Sequence, residues 1–361
     1  MSQRVESLDH LRGLMAVSVM VFHYHSWAIG KGDAESILSR LGIYAVGSFF
    51  VLSGLSLAIV YKDRLSDAGD ILAFSIKRVF RIFPLFWASV TFVLILNEIA
   101  KYRGGGADID SWVIFLNYTL LFGFLDHAAT LSVGAWSIGN EMVFYALFPF
   151  VFFLGGRWEM RGSFLGAVTL ASVGLYVCFA YFFLDDRMGL SDQFDIYTHP
   201  LNQLALFMLG CCVGFAVRPA STKHGKIAGG LLVVAGALTF VLYPADGDRI
   251  ALVTDGARVT LSLSVVAIVL GTYLADPLPR SSIAEVLGFF GRGCYSIYLL
   301  HPIVAIPWVW ASGKLGLAPV TCYVLAAITT LILSWASFRF VELPMMNHGS
   351  ALSRFLKKKV S

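Results

Sequence analysis

Long runs of apolar residues recur along almost the whole chain, and they constrain its fold more than any other feature. About 20 such residues span ~30 Å of hydrocarbon as a helix, and no open sheet edge is tolerated where water is absent. Ten runs meet that condition, at about 13-30, 41-61, 83-100, 136-155, 163-184, 200-217, 226-243, 252-275, 293-311 and 318-341. The expected fold is all-α, a polytopic transmembrane helix bundle of about ten spans. An eleventh run, 112-125, is short and follows Asp108 and Asp110, so it is expected at the interface or as a re-entrant piece. With 57% hydrophobic and 14% charged residues and a mean hydropathy of +0.74, an ordinary soluble enzyme is excluded.

An even number of spans puts both termini on one side, and the cations choose that side. Most of the 27 lysines and arginines fall with the termini, among them Arg4, Arg12, Lys77, Arg78, Arg81, Arg157, Arg161, Arg280, Arg292, Arg354 and Lys357 to Lys359. The opposite connections carry Asp108, Asp110, Asp126, Asp185, Asp186, Asp192 and Asp195. By the positive-inside rule both termini are expected in the cytoplasm and the chain in the cell inner (plasma) membrane. The net charge of +4 is small and distributed for orientation, so no nucleic-acid partner is expected. Five cysteines in apolar stretches, without CxxC spacing, imply neither disulfides nor a metal site. The N-terminus reads as an uncleaved first helix, with residues 1-345 the membrane domain and 346-361 a short basic cytoplasmic tail. The longest polar connections lie at about 62-82, 101-111 and 185-199, too short for a second domain.

Ionisable residues inside spans are expensive, so each is a functional candidate, although many only glue helices together. Arg12 and His23 are 11 residues apart, three helical turns plus about 20°, so they share a helix face with a rise of about 16 Å between them. That places Arg12 at the cytoplasmic interface and His23 near mid-membrane. The competing role for a lone helical histidine is a structural hydrogen bond. Asp9 reads as the N-cap of the first helix. Lys77, Arg78 and Arg81 precede Pro84, which suits a first helical turn; arginine forks fit phosphate oxygens, and ordinary cytoplasmic anchoring is the plainer explanation. In Trp136-Ser137-Ile-Gly-Asn140-Glu141, the carboxylate sits about 7 Å into its span and needs a partner, either an arginine in a structural pair or His23. Ser53-Gly54, Tyr298 with His301-Pro302, and Glu342-Leu-Pro344 are each compatible with packing alone, and Pro302 is expected to kink its helix.

Taken together these segments resemble the acyltransferase 3 family of integral membrane O-acyltransferases. The resemblance rests on Ser7-Leu-Asp9-x-Leu-Arg12-Gly13 followed by His23, Phe49 to Gly54, Arg78-x-x-Arg81 with Pro84, Trp136-Ser-x-x-x-Glu141-x-x-Phe-Tyr145, Ser296-x-Tyr298-Leu-x-His301, and Glu342-x-Pro344. Six motifs in order cover nearly the whole chain. The resemblance implies transfer of an acyl group, commonly acetyl, from cytoplasmic acyl-CoA to a hydroxyl of an envelope glycan or its lipid-linked precursor. It implies His23 as catalytic base with Glu141 supporting it. It implies Arg12, Arg78 and Arg81 in donor binding or pore architecture, and Asp9, Ser53, Trp136, Tyr145, Tyr298, His301 and Glu342 in supporting positions. Acyl-CoA enters as a co-substrate, no bound cofactor or metal is expected, and glycan-synthesis proteins are the expected protein partners. The fused hydrolase-like second domain that some members carry is not expected here. The residues alone also fit a proton-coupled transporter or flippase of a glycan precursor, which would consume no thioester.

Overall fold

The computed structural model describes residues 5–30, 32–154, 158–276 and 281–360. Among them there is no strand. In chain order the helices are α1 Glu6–Ala28, α2 Ile37–Tyr61, α3 Ala68–Tyr102, α4 Ser111–Thr119, α5 Phe122–Leu125, α6 Ala135–Leu154, α7 Trp158–Cys178, α8 Phe194–Thr198, α9 Pro200–Ala216, α10 Lys223–Leu242, α11 Asp255–Leu274, α12 Ser282–Arg292, α13 Cys294–Leu315, α14 Pro319–Ser337 and α15 Leu343–Val360. Single π-helical turns extend α7 (Phe179–Phe183) and join α14 to α15 (Phe338–Glu342). The all-α expectation holds. Eight helical stretches among the described residues are long and apolar enough to cross a membrane, which makes this a multi-pass membrane protein. The other two expected spans coincide with α1 and α6. Arg4, Arg157 and Arg280, three of the cations used to orient the chain, lie outside the described residues.

One expectation is corrected. The segment 62-82 is largely helical, because α3 begins at Ala68 under an N-cap in which Asp67 accepts from the Asp70 amide at 2.8 Å. At 1.5 Å per residue its 35 residues run about 52 Å, far beyond one bilayer crossing. Pro84 therefore sits inside a helix, and Lys77, Arg78 and Arg81 lie on its body instead of preceding it. The short 112-125 run breaks at Leu120, whose φ of 57° is left-handed, leaving one nine-residue helix and one single turn.

The chain divides into two compact units, Met1–Arg64 with Phe150–Cys294, and Leu65–Pro149 with Tyr295–Ser361. In the first unit, helices meet through glycines. A Cβ on Gly54 would lie 2.0 Å from the Phe207 carbonyl oxygen, and one on Gly210 would lie 2.1 Å from that of Val51, so α2 and α9 touch backbone to backbone. Gly13 and Gly291 do the same for α1 and α12, and Gly229 and Gly271 for α10 and α11. Lipid offers no hydrophobic drive for helices to associate, and such close approach supplies dispersion contact in its place. In the second unit, α15 lies along α3: Gly349 approaches Phe80, and the Lys357 ammonium pairs with the Asp70 carboxylate. Residues 346–360 are thus helical and held against α3.

Candidate functional site

The first unit holds Asp9, Arg12, His23 and Ser53. Helix α1 starts at Glu6 with Val5 in the capping position, so Asp9 is not the N-cap; it lies one turn in. The helix begins early because the Ser7 hydroxyl donates to Asp276 at 2.6 Å. Asp9 instead accepts from Arg12 Nη1 at 2.7 Å. Arg12 Nη2 donates to the Ser56 hydroxyl and to the Leu52 carbonyl at 3.3 Å, so the guanidinium braces α1 against α2. Helix α1 is unbroken to Ala28, which keeps Arg12 and His23 on one face three turns apart. The His23 ring stacks on Trp27 one turn on, with centroids 5.3 Å apart and planes 6° apart, and leans on Phe22 at 5.3 Å. Trp27 is 39% exposed while Phe22 is buried. Ser53 is half-buried on α2 beside the Gly54 contact with α9.

The second unit gathers the remaining motif residues. The Arg78 guanidinium lies 5.8 Å from the centroids of both Phe74 and Tyr145, and its buried Nε has no hydrogen-bond partner. Those two rings meet edge to face at 6.4 Å. Tyr295 donates to the Ile82 carbonyl at 2.8 Å and lies in the electrostatic reach of Arg81, Glu141, Tyr145 and Glu342. Glu342, in the π-helical turn, is buried and accepts from the Ser296 hydroxyl, with Arg81 as the cation acting on it. A π turn carries an extra residue per turn and so re-aims side chains, an arrangement common at functional positions. Glu141 is half-buried on α6 and acts on Tyr298 as well as Tyr295. Tyr298 donates to the Gly134 carbonyl at 2.9 Å and meets the Ser137 hydroxyl at 2.8 Å, which ties α13 to the start of α6 beside the buried Trp136. His301 is fully buried, its Nδ1 lying 3.1 Å from the Ile297 carbonyl, and Pro302 sits within a helix that runs on to Leu315.

The motif residues thus fall into one set along α1 and α2 and another on α3, α6, α13 and the π turn. Three arginines were not singled out by spacing. Arg40 and Arg258 are buried at 4% and 1% exposure, bonded to carbonyls of Ala34, Phe240 and Val241 and to Asn202 and Val253 respectively, with Arg258 3.9 Å from the Tyr176 ring centroid. Arg249, in the 3₁₀ turn before α11, lies 5.8 Å from the Phe22 ring centroid and acts electrostatically on His23. All three belong to the minority of cations on the side opposite the termini in the span count, a signal that could have drawn attention to them.

The sequence profile of the family described as "Acyltransferase domain" matches residues 5–339. The chain is 25% identical to "O-acetyltransferase OatA" of Staphylococcus aureus (strain MRSA252), over 98% of this chain and 59% of that protein. It is 23% identical to "Peptidoglycan O-acetyltransferase OatA" of Listeria monocytogenes, over 96% and 56%, and 24% identical to "Putative peptidoglycan O-acetyltransferase YrhL" of Bacillus subtilis, over 96% and 55%. It therefore spans less than two-thirds of the length of these relatives. No solved structure matches significantly. With the profile covering nearly the whole sequence, the chain belongs to the acyltransferase domain family, and its apolar helices mark it as an integral membrane member.

Proposed function

We propose that the chain transfers an acetyl group from acyl-CoA to a hydroxyl of a cell-envelope glycan, with His23 as the general base. The Listeria monocytogenes relative is a peptidoglycan O-acetyltransferase by name, and that glycan is the acceptor class we assign. The observation that carries the reading is the arrangement on α1. Arg12 is fastened to α2 at one end, while the His23 imidazole, three turns on, lies on an aromatic platform where a sugar ring can stack.

In the step itself the sugar oxygen attacks the thioester carbonyl carbon as His23 takes the hydroxyl proton. The new C–O bond forms, the C–S bond breaks, and the CoA thiolate leaves with the electron pair and is reprotonated from the imidazolium. Arg78 is the strongest candidate for the donor's phosphates, since its guanidinium is flanked by ring faces and its Nε is uncommitted. Arg81, Glu141 and Glu342 form a charged framework around Tyr295 in the same unit. The termini are cytoplasmic in this reading and the ten spans lie in the inner membrane, so donor and acceptor approach from opposite faces.

The test is CoA release from acetyl-CoA by the full chain in proteoliposomes, with and without an envelope glycan fraction. Wild type is expected to release CoA and label the glycan, and His23→Ala to insert normally and do neither. Unchanged turnover in that variant would remove His23 as base, and no turnover by wild type with any short acyl-CoA would favour transport.

A further inference from the structure

We infer that Arg249 is an anion subsite for the acceptor, placing a carboxylate or phosphate of the glycan substrate beside His23; the inference rests on the reading of His23 as the base. The guanidinium and the imidazole share one neighbour, lying 5.8 and 5.3 Å from the centroid of the Phe22 ring. Arg249 makes no hydrogen bond and no ion pair among the described residues, so its five N–H donors are available.

The backbone that carries it is, by contrast, pinned from three directions. The Gly247 carbonyl accepts from the Ala34 amide at 2.8 Å, which ties the turn to the α1–α2 connection. The Asp248 carboxylate accepts from the Leu190 amide at 2.9 Å, which ties it to the connection after α7, and from the Ile250 amide at 2.8 Å, which caps the 3₁₀ turn. With the backbone beneath it fixed and its donors unused, the Arg249 side chain has only its own rotamer to order on meeting a ligand of opposite charge. Arg40 and Arg258 show the alternative, since both have carbonyl partners built for them.

The chemistry gives the subsite a consequence. Proton transfer to His23 creates an imidazolium close to a guanidinium, and like charges at that range oppose one another. An anion on the acceptor, bound by Arg249, removes that opposition at the moment its own hydroxyl is presented to the base. Acidic acceptors would therefore gain in turnover as well as in binding.

The experiment measures binding and transfer separately. Full-length protein in nanodiscs is titrated with a glycan oligosaccharide whose sugar carboxylates are intact, the same oligosaccharide with them reduced to alcohols, and a neutral oligosaccharide with and without a lipid diphosphate. The variants are Arg249→Gln and Arg249→Lys. A hydrogen bond to a charged group contributes about 1.5–3 kcal/mol, so wild type should favour the anionic member of one pair about ten- to a hundredfold. The preferred pair identifies carboxylate or phosphate as the source. Arg249→Gln should abolish the preference while leaving neutral binding within about threefold, and Arg249→Lys should retain part of it. Equal wild-type affinity for charged and neutral members, or a preference that survives in Arg249→Gln, overturns the subsite. A preference that disappears in Arg249→Gln, accompanied by no acetyl transfer from wild type, upholds the subsite and overturns the acyltransferase reading instead.

Discussion

Replacing Gly54 by alanine should destabilise the protein, and replacing Gly174 by alanine should stabilise it, although both changes add one methyl group to a membrane helix. At Gly54 the added Cβ lies 2.0 Å from the Phe207 carbonyl oxygen, 3.0 Å from the carbonyl carbon and 3.0 Å from the Cys211 amide nitrogen. These are backbone atoms of α9, and no rotamer change can relieve the overlap. The helices must part by roughly 1 Å or more, which also pulls Gly210 away from Val51 on the reciprocal side of the same contact. Overpacking of this kind costs about 1–3 kcal/mol, here toward the upper end, offset by a gain of about 1 kcal/mol in helix propensity. The net loss is about 1–2 kcal/mol. At Gly174 nothing lies within 4 Å of the added atom, so only the propensity term remains, a gain of about 0.5–1 kcal/mol. Helicity followed during SDS titration of the full chain in mixed micelles measures both. A Gly54→Ala protein as stable as Gly174→Ala would refute the claim that this motif glycine is kept for a backbone contact.

Ser296→Ala removes the hydroxyl that donates to the buried Glu342 carboxylate and should cost about 1–3 kcal/mol in the same titration. Tyr298→Phe loses the bonds to Gly134 and Ser137 while keeping the ring, for about 1 kcal/mol, with the start of α6 exchanging amide hydrogens faster. If Arg78 holds the donor phosphates as proposed, Arg78→Gln should raise KM for acyl-CoA about tenfold or more with a smaller change in kcat, read from steady-state CoA release, because such a contact would be made in ground and transition states alike.

The sequence made the fold class legible because apolar runs in lipid leave helix as the sole solution for each span. All ten runs are helices, and even the short 112-125 run was separable from them by length. Boundaries failed where polar residues continue a helix past the bilayer. Residues 68–82 looked like a connection because their charge hides a helix held by α15, a partner nearly three hundred residues away in the chain. Pro84 misled for the same reason: in the chain it resembles a start signal, and only tertiary packing shows that the helix was already running. Asp9 has the chemistry of a cap, but Ser7 and Asp276 start α1 a turn earlier and release its carboxylate to Arg12.

The arginine motifs show why a residue's position in a motif underdetermines its role. Arg12 and Arg78 both stand in segments that resemble the family, and both carry a fork suited to phosphate. Arg12 has directed its donors to Asp9, Ser56 and Leu52, so any anion would have to displace bonds that hold α1 to α2. Arg78 is flanked by two rings, and its buried Nε has no hydrogen-bond partner, so binding an anion would break no existing bond of that nitrogen. Removing Arg12 should therefore register first as lost stability, and removing Arg78, on the proposed reading, first as lost donor affinity. Arg249 extends the same reasoning beyond the motifs: a rigid backbone combined with unused donors is a physical criterion for a binding residue, and it applies where spacing offers none.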